Sequence, residues 1–268
     1  MNKRFLIIFS IICLYVLPAV AQDTTYYDAS WKLTIAPKAL YFRAKTKTDA
    51  GWKVNDCYIS GKIQMSGTYI DDSCKIQQGD FSFYNEKGHL YHISHYEHGK
   101  LEGVDKLYYD DDQIRTEGKF KDGKQEGEWV GYYPSGKPSA HVDFKDGNQI
   151  SGKFFDENGK RNKSVTEFSR NALFPGGLPS LQRFLIRNLH YPDTATKANI
   201  QGTVVVGFLV TKEGNIEDIK VSSSVDPALD EEALRVIRLM PEWDPLIVGG
   251  ILCDATRKQP IVFRLQSD

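Results

Sequence analysis

The middle of the chain repeats itself at a period of about 24 residues, and such a period limits the fold more than any single motif does. Tyr96, Phe120 and Phe144 stand 24 apart, and Gly99-Lys100, Gly123-Lys124 and Gly147-Asn148 follow them at the same spacing. Gly79, Gly103, Gly127 and Gly152 hold the register to within one residue. Aromatic pairs recur after them: Phe83-Tyr84, Tyr108-Tyr109, Tyr132-Tyr133 and Phe154-Phe155. Tyr58-Ile-Ser-Gly-Lys62 anticipates Tyr133-Pro-Ser-Gly-Lys137, so the repeat begins near residue 57. Each unit has two short aromatic-rich segments. One turn carries Lys/Asp-Gly-Lys chemistry and the other a second glycine, the residue that supplies the positive φ of tight hairpins. Trp129, Gly131 and Tyr133 alternate with Val130 and Tyr132, as in a strand. A hairpin this small cannot bury its aromatics alone and must stack on the next. The spacing therefore predicts an all-β antiparallel β-hairpin repeat meander.

The aromatic–glycine register resembles MORN-type repeats of exported bacterial proteins, with about four units over residues 57–160. Residues 22–56 contain Tyr26-Tyr-Asp-Ala-Ser-Trp31 and Ala39-Leu-Tyr-Phe-Arg43, a lead-in strand pair expected to cap the first repeat. Lys160-Arg-Asn-Lys-Ser164 is polar and marks the expected boundary before a domain at 167–268.

The N-terminus reads as an export signal over residues 1–21. Lys3 and Arg4 precede the apolar stretch Phe5 to Leu17, and Ala19-Val20-Ala21 offers a small-x-small cleavage site. The apolar run is shorter than the roughly 20 residues of a membrane span. An uncleaved segment extended by Pro18 to Ala21 would instead be an inner-membrane anchor. Cys13 follows Ile12, where a lipoprotein signal would have a small residue. The expected location is the periplasm. Of 34 Lys+Arg, Lys3 and Arg4 fall in the signal, leaving 32 against 35 Asp+Glu. That near balance argues against nucleic acid as a partner. Beyond the signal stand Cys57, Cys74 and Cys253, an odd number that is no disulfide framework. Export permits one bridge, for which Cys57 and Cys74 are the candidates, and three buried thiols are the plain alternative.

The last domain has its own pattern. Leu181, Phe184, Leu185 and Leu189 share one helical face, in a helix expected to start after Pro179 and to end at Tyr191-Pro192. Thr203 to Val210 is a β-branched strand, Lys212-Glu-Gly-Asn215 a turn, and Ile216 to Ser222 the returning strand. Asp226-Pro227 has the form of an N-cap with proline at the first helical position. Leu229, Ala233, Ile237 and Met240 make the buried stripe, and Arg257 to Leu265 a third strand. The order predicts a small α+β domain, a three-stranded antiparallel sheet with helices on one face. Leu246-Ile-Val-Gly-Gly-Ile-Leu-Cys253 is an apolar loop that reads as an extra strand or a contact surface.

Phe174-Pro-Gly-Gly177, Tyr191-Pro192, the Gly202 strand, Glu213-Gly214, Asp226-Pro227 with Leu229-Asp and Ala233-Leu, and Met240-Pro-Glu-Trp-Asp-Pro245 occur in order over about ninety residues. In these motifs the segment Phe174 to Leu265 resembles the TonB C-terminal domain in its Bacteroidetes-type form. The resemblance implies an energy transducer that passes work from inner-membrane motor proteins to TonB-dependent outer-membrane receptors, for uptake of nutrients or metal chelates. It also implies β-augmentation, the capture of a receptor segment as an added strand. The receiving edge of the family is its last strand, here Gln259, Pro260, Ile261, Val262, Phe263, Arg264 and Leu265. The familiar transducer has an uncleaved N-terminal helix and a Pro-rich spacer. This chain has 11 prolines, none in a Pro-rich run, and β repeats where the spacer would be. A periplasmic interaction scaffold without energy coupling is therefore the alternative expectation.

No catalytic set has a recognisable frame, so no enzyme, cofactor or metal is expected. His89, His92, His95 and His98 recur at three-residue spacing and would converge on a helix. Their aromatic neighbours argue for a strand, which puts His89 and His95 opposite to His92 and His98. Asp71-Asp72 and Asp110-Asp-Asp112 lack calcium-loop spacing and read as turns. Gly176-Gly177 and Gly249-Gly250 lack a phosphate-binding frame. His141 and His190 read as structural, and Trp129 and Trp243 as core anchors.

Overall fold

A computed structural model describes residues 23–265. The export signal and Cys13 lie outside the described residues. Eleven strands follow one another: β1 (Asp23–Tyr27), β2 (Tyr41–Thr48), β3 (Gly51–Tyr58), β4 (Ile63–Tyr69), β5 (Gln77–Tyr84), β6 (Leu90–Glu97), β7 (Lys100–Tyr108), β8 (Ile114–Lys121), β9 (Lys124–Tyr132), β10 (Pro138–Lys145) and β11 (Asn148–Phe154). They form one antiparallel sheet in sequence order, the meander that the 24-residue period predicts.

The period is written in the turns. His98, Asp122 and Asp146 are left-handed at φ 48°, 51° and 52°, and each precedes a left-handed glycine, Gly99, Gly123 or Gly147. Two successive positive φ values are the signature of the two-residue hairpin turn that matches strand twist. The N–H groups of His98, Asp122 and Asp146 donate to the side chains of Gln78, Glu102 and Glu126 at 3.0, 2.8 and 3.0 Å. Donors and acceptors alike step by 24, so each turn is held by the preceding hairpin. At the other end, Tyr58, Tyr109 and Tyr133 donate their hydroxyls to the carbonyls of Tyr84, Tyr132 and Phe155 at 2.9, 2.7 and 2.8 Å.

The second glycine of each unit is not where the sequence suggests. The other turns are closed by Gly61, Gly88, Asp112 and Gly136, whose N–H groups donate to the Tyr58, Asn85, Tyr109 and Tyr133 carbonyls. Gly79 and Gly127 lie inside β5 and β9, at positive φ. There the register slips: Ser66 and Thr68 face Ser82 and Gln78, and Glu117 and Lys119 face Val130 and Glu126. Each such β-bulge needs a left-handed residue, which glycine supplies without strain.

The described residues divide into two compact units, one of 23–89 with Tyr96–Gly99 and the other of Leu90–His95 with 100–265. In the first, Val54, Met65, Tyr69 and Phe81 form the core. Gly67 makes room for the Phe81 ring, which a Cβ would overlap. Arg43 binds Asp56 through two bonds of 2.7 and 2.8 Å. Burial pushes the Tyr69 hydroxyl up to about 12, against the opposing pull of Arg43. The candidate bridge between Cys57 and Cys74 is not formed, and both thiols are free. Asp56 pairs with Arg43 and Met65, whereas Cys57 is the next residue along β3 and points to the opposite face. Cys74 packs on the Val54 and Met65 face, so the sheet separates the two sulfurs.

In the second unit, Trp129 is the centre of a cluster with Val142, Phe144, Phe154, Val165 and Phe168. Gly118 vacates the space its indole fills. The α+β elements follow: β12 (Ser169–Arg170), α1 (Gly177–Asn188), α2 (Asp193–Lys197), β13 (Gly202–Val210), β14 (Ile216–Ser223), α3 (Pro227–Arg238), β15 (Leu246–Val248), β16 (Ile251–Cys253) and β17 (Ala255–Phe263). Helix α1 starts two residues before Pro179, because Gly176 and Gly177 at φ 76° and 72° turn the chain directly into it. Asp226 caps α3 as expected, accepting the Ala228 N–H at 2.9 Å. One sheet has the order β14-β13-β17. Its core joins Val204, Val206 and Phe208 of β13 to Ile261 and Phe263 of β17, to Leu229, Ala233 and Ile237 of α3, and to Trp243.

The apolar loop 246–253 becomes a hairpin, β15–β16, in a second sheet of order β12-β15-β16. Its tip is also a contact surface. Ser139 of β10 donates to the Gly249 carbonyl at 2.6 Å, and any Cβ on Gly131 of β9 would overlap that carbonyl. The α+β elements are thus joined to the last repeat through facing glycines.

Candidate functional site

The sheet β14-β13-β17 has two outer strands, and they differ. β17 pairs with β13 through nine consecutive residues, Gly202↔Phe263 to Val210↔Ala255, with no slip. β14 pairs with β13 through a ladder that slips twice, and Asp218 in it is left-handed at φ 50°. Bulges blunt an edge by twisting its free groups away, while a regular strand offers them in a row. Among the described residues, no strand covers the outer side of β17.

The seven residues singled out from the sequence fall on this strand or just past it. Gln259, Pro260, Ile261, Val262 and Phe263 belong to β17, which reaches back to Ala255; Arg264 and Leu265 follow it. Ile261 and Phe263 are buried in the core, Pro260 and Val262 are exposed, and Gln259 is half-buried. The Leu265 N–H donates to the Gln201 side chain at 3.0 Å, which ties down the end of the strand. A proline is accommodated in a strand where its missing N–H would face away from the ladder. By that parity Lys258 and Val262 present both backbone groups to the open side, Pro260 has only its carbonyl there, which accepts the Gln259 side-chain amide at 2.9 Å, and Gln259 and Ile261 bond to β13.

Helix α1 runs beside this edge. Leu178, Leu181, Leu185, Ile186 and Leu189 line a groove of about 480 Å³ together with Gln259, Pro260, Ile261 and Val262. Leu178 and Ile186 are 65% and 80% exposed, which is high for apolar side chains flanking a core. Sequence periodicity assigns this helix an inner face but gives no sign of the second apolar row. Arg187, Arg257, Lys258 and Arg264, on or just past α1 and β17, make no ion pair among the described residues.

The other candidate groups sit in local polar contacts. Among the described residues no three metal-ligating side chains converge. His92 lies on β6, with its Nε2 2.8 Å from Asp105 Oδ2 and 2.9 Å from Ser94 Oγ, and Ser94 donates to the same Asp105 oxygen at 2.6 Å. Sequence spacing does not reveal this Ser/His/Asp trio, because β7 supplies the carboxylate. The Nε2 nitrogen thus meets both Ser94 and Asp105, two buried polar side chains. Asp71 accepts the Lys75 and Ile76 N–H groups, which is turn chemistry. His141 pairs with Glu128 at 2.9 Å. Arg235 donates to Glu232 and to the Asn188 carbonyl, and the His190 N–H donates to Glu232, joining α3 to the end of α1. Burial alone would raise the Glu232 carboxyl, but these bonds hold it below the usual carboxylate range. Trp129 and Trp243 are both core residues. Trp243 meets Phe174 and Phe208 edge-on at 5.8 and 5.3 Å, and its backbone N–H donates to the Gly214 carbonyl at 2.9 Å.

Comparison with known proteins bears on both regions. Residues 187–265 match the family described as Gram-negative bacterial TonB protein C-terminal, and residues 125–146 match the MORN repeat variant. Two NMR structures of the Helicobacter pylori TonB C-terminal domain are similar to this chain. The one spanning residues 179–285 of that protein is 27% identical, with a TM-score of 0.27, and the match covers 33% of this chain and 79% of that one. The one spanning residues 194–285 is 26% identical, with a TM-score of 0.27, and covers 34% and 95%. No curated protein matches the chain. By the family matches, the C-terminal region of this chain is TonB-like and a stretch of its repeat region is MORN-like.

Proposed function

We propose that this chain is a periplasmic TonB-like protein that captures a segment of a TonB-dependent outer-membrane receptor as an added strand on β17. In that role it supports energy-dependent uptake of nutrients or metal chelates. One observation carries the reading: β17 is a regular strand with an uncovered edge, flanked by an apolar groove, while the opposite edge of the same sheet is blunted. An incoming extended segment bonds to the outward N–H and C=O groups of β17, which supply affinity with little demand on sequence. Alternate side chains of that segment turn toward α1 and leave water in the groove. Arg264, exposed just past the strand, adds a charge contact. Because the work is done by backbone groups, the activity is binding and force transfer, not catalysis.

The test is a titration of the full chain with a periplasm-facing peptide from a TonB-dependent receptor of the same cell, followed by amide NMR. Shifts should concentrate on Thr256 to Phe263 and spare β14. Val262→Pro, which removes an outward donor, should weaken binding. Shifts centred on β14, or no binding, would sink the proposal.

A second reading, a periplasmic scaffold without energy coupling to inner-membrane motor proteins, draws on a different observation. The segment leading from β11 to β12 packs Val165 and Phe168 into the Trp129 cluster, where a transducer's free spacer would be. Copurification of motor proteins with the intact chain separates the two readings.

A further inference from the structure

We infer that the loop between β1 and β2 seats this chain on an anionic lipid surface. The loop, residues 28–40, carries Trp31, Leu33, Ile35 and Leu40, and the Ile59 N–H donates to the Leu40 carbonyl at 2.9 Å, which sets Ile59 beside them. Leu33, Ile35, Leu40 and Ile59 are 74%, 63%, 48% and 51% exposed. One exposed apolar side chain is ordinary, whereas a group of them marks a contact surface. The backbone that carries them is bonded in place. Leu33 bridges to Tyr27, the Thr34 N–H donates to the Tyr26 carbonyl at 3.0 Å, and the Leu40 N–H donates to the Tyr27 carbonyl at 2.9 Å. Trp31 stacks on Tyr41 at 4.7 Å. The apolar side chains therefore stand outside a formed structure and are not a core left incomplete.

Charge and connectivity identify the surface. Residues 29–42 include the exposed Lys32 and Lys38 and no aspartate or glutamate. Of the nearby carboxylates, Asp28 accepts the Ser30 and Lys32 N–H groups, and Glu86 stands with Lys62 in the lining of the adjoining cavity. The loop thus keeps a cationic excess on a chain whose overall balance is slightly acidic. Protruding apolar side chains among lysines match a bilayer. The apolar groups enter the boundary between headgroups and acyl chains, the lysine stems lie along it, and the ammonium groups meet lipid phosphates. Tryptophan, with an apolar body and a polar N–H, suits the same boundary. Connectivity agrees. The apolar stretch Phe5 to Leu17, extended by Pro18 to Ala21, ends just before β1, which is the outermost strand of its sheet. Tyr27, the last residue of β1, bridges to Leu33, and the rise of the strand puts it about 14 Å from Asp23. A chain still held in the inner membrane by that stretch has Leu33 within reach of the same surface.

The experiment combines the exported full chain with vesicles of phosphatidylcholine, with or without phosphatidylglycerol, whose brominated acyl chains quench tryptophan on contact. Trp31→Phe keeps an aromatic ring on Tyr41 and isolates the share of the quenching that belongs to Trp31. The readout is local, so it serves whether or not residues 1–21 stay on the chain. Vesicles with phosphatidylglycerol should quench Trp31, and added salt should weaken the effect. Leu33→Ser with Ile35→Ser, both at exposed positions, should shift the balance between seated and free loop roughly tenfold or more toward free, as expected when two apolar side chains are kept from immersion. Lys32→Glu with Lys38→Glu should remove the preference for phosphatidylglycerol. Thermal melts check that both variants are folded. Quenching of Trp31 that is absent, equal with the two lipids, or unchanged in the serine variant overturns the proposal. So does a dimer in light scattering that the serine variant abolishes, since the patch then belongs to a second copy. Strand addition on β17 stands apart from every one of these outcomes.

Discussion

At the scale of single residues, much of this structure depends on side chains that are absent. Gly118 has no Cβ because the Trp129 ring fills that space, and Gly67 yields in the same way to Phe81. Gly118→Ala should cost about 1–3 kcal/mol, the usual range for overpacking a core, read as a lower denaturation midpoint. Alanine at Gly88 should cost less, since its surroundings are open and only the left-handed φ resists. Charge acts at this scale too. Glu232 is held below its ordinary range in the folded chain, so its contribution is complete above the unfolded carboxyl's pKa and is lost as pH falls through the folded value. The stability gap between the chain and Glu232→Gln should therefore be widest near neutrality and close in acid. A gap that widens on acidification would refute the assignment.

At the scale of elements, the open strand makes a directional prediction. Val262→Pro and Ile261→Pro differ by one position, yet only the second removes a donor from the β13 ladder. Ile261→Pro should destabilise the α+β domain by about 1–3 kcal/mol through the orphaned β13 carbonyl alone, whereas Val262→Pro should leave its melting nearly unchanged and impair binding. Equal losses of stability would show that the parity is reversed. This strand was legible in the sequence because Pro260 to Phe263 is an apolar, partly β-branched run, and the meander was legible because aromatics and glycines return every 24 residues. The bulges at Gly79 and Gly127 were not, since a glycine inside a strand and one in a turn look alike in a string of letters. The α1 groove was hidden for a related reason: periodicity finds the face that meets the core and is silent on a second apolar row. The His92, Ser94 and Asp105 trio needed the pairing of strands, which spacing along one strand cannot supply.

At the scale of the whole molecule, the join between the last repeat and the α+β elements is a contact between two glycines, Gly131 and Gly249, with Ser139 bonded across it. The partners are 110 residues apart and carry no side chain or only a small one, so nothing in the sequence advertises them. Gly131→Val should lift the hairpin tip from its seat. Hydrogen exchange should then quicken across Ile247 to Cys253 while the β13–β17 ladder keeps its protection; unchanged exchange in the hairpin would show that the seat is not needed. Pro260 has a further consequence once many copies share a compartment. An uncovered strand border is an invitation to its own duplicates, and duplicates that meet there can grow into fibres. A border with a missing donor near its middle breaks the continuous row of bonds that such stacking repeats from copy to copy. Under the proposed capture the gap would cost a single added segment one bond but a growing stack one at every layer, which favours capture over fibre growth.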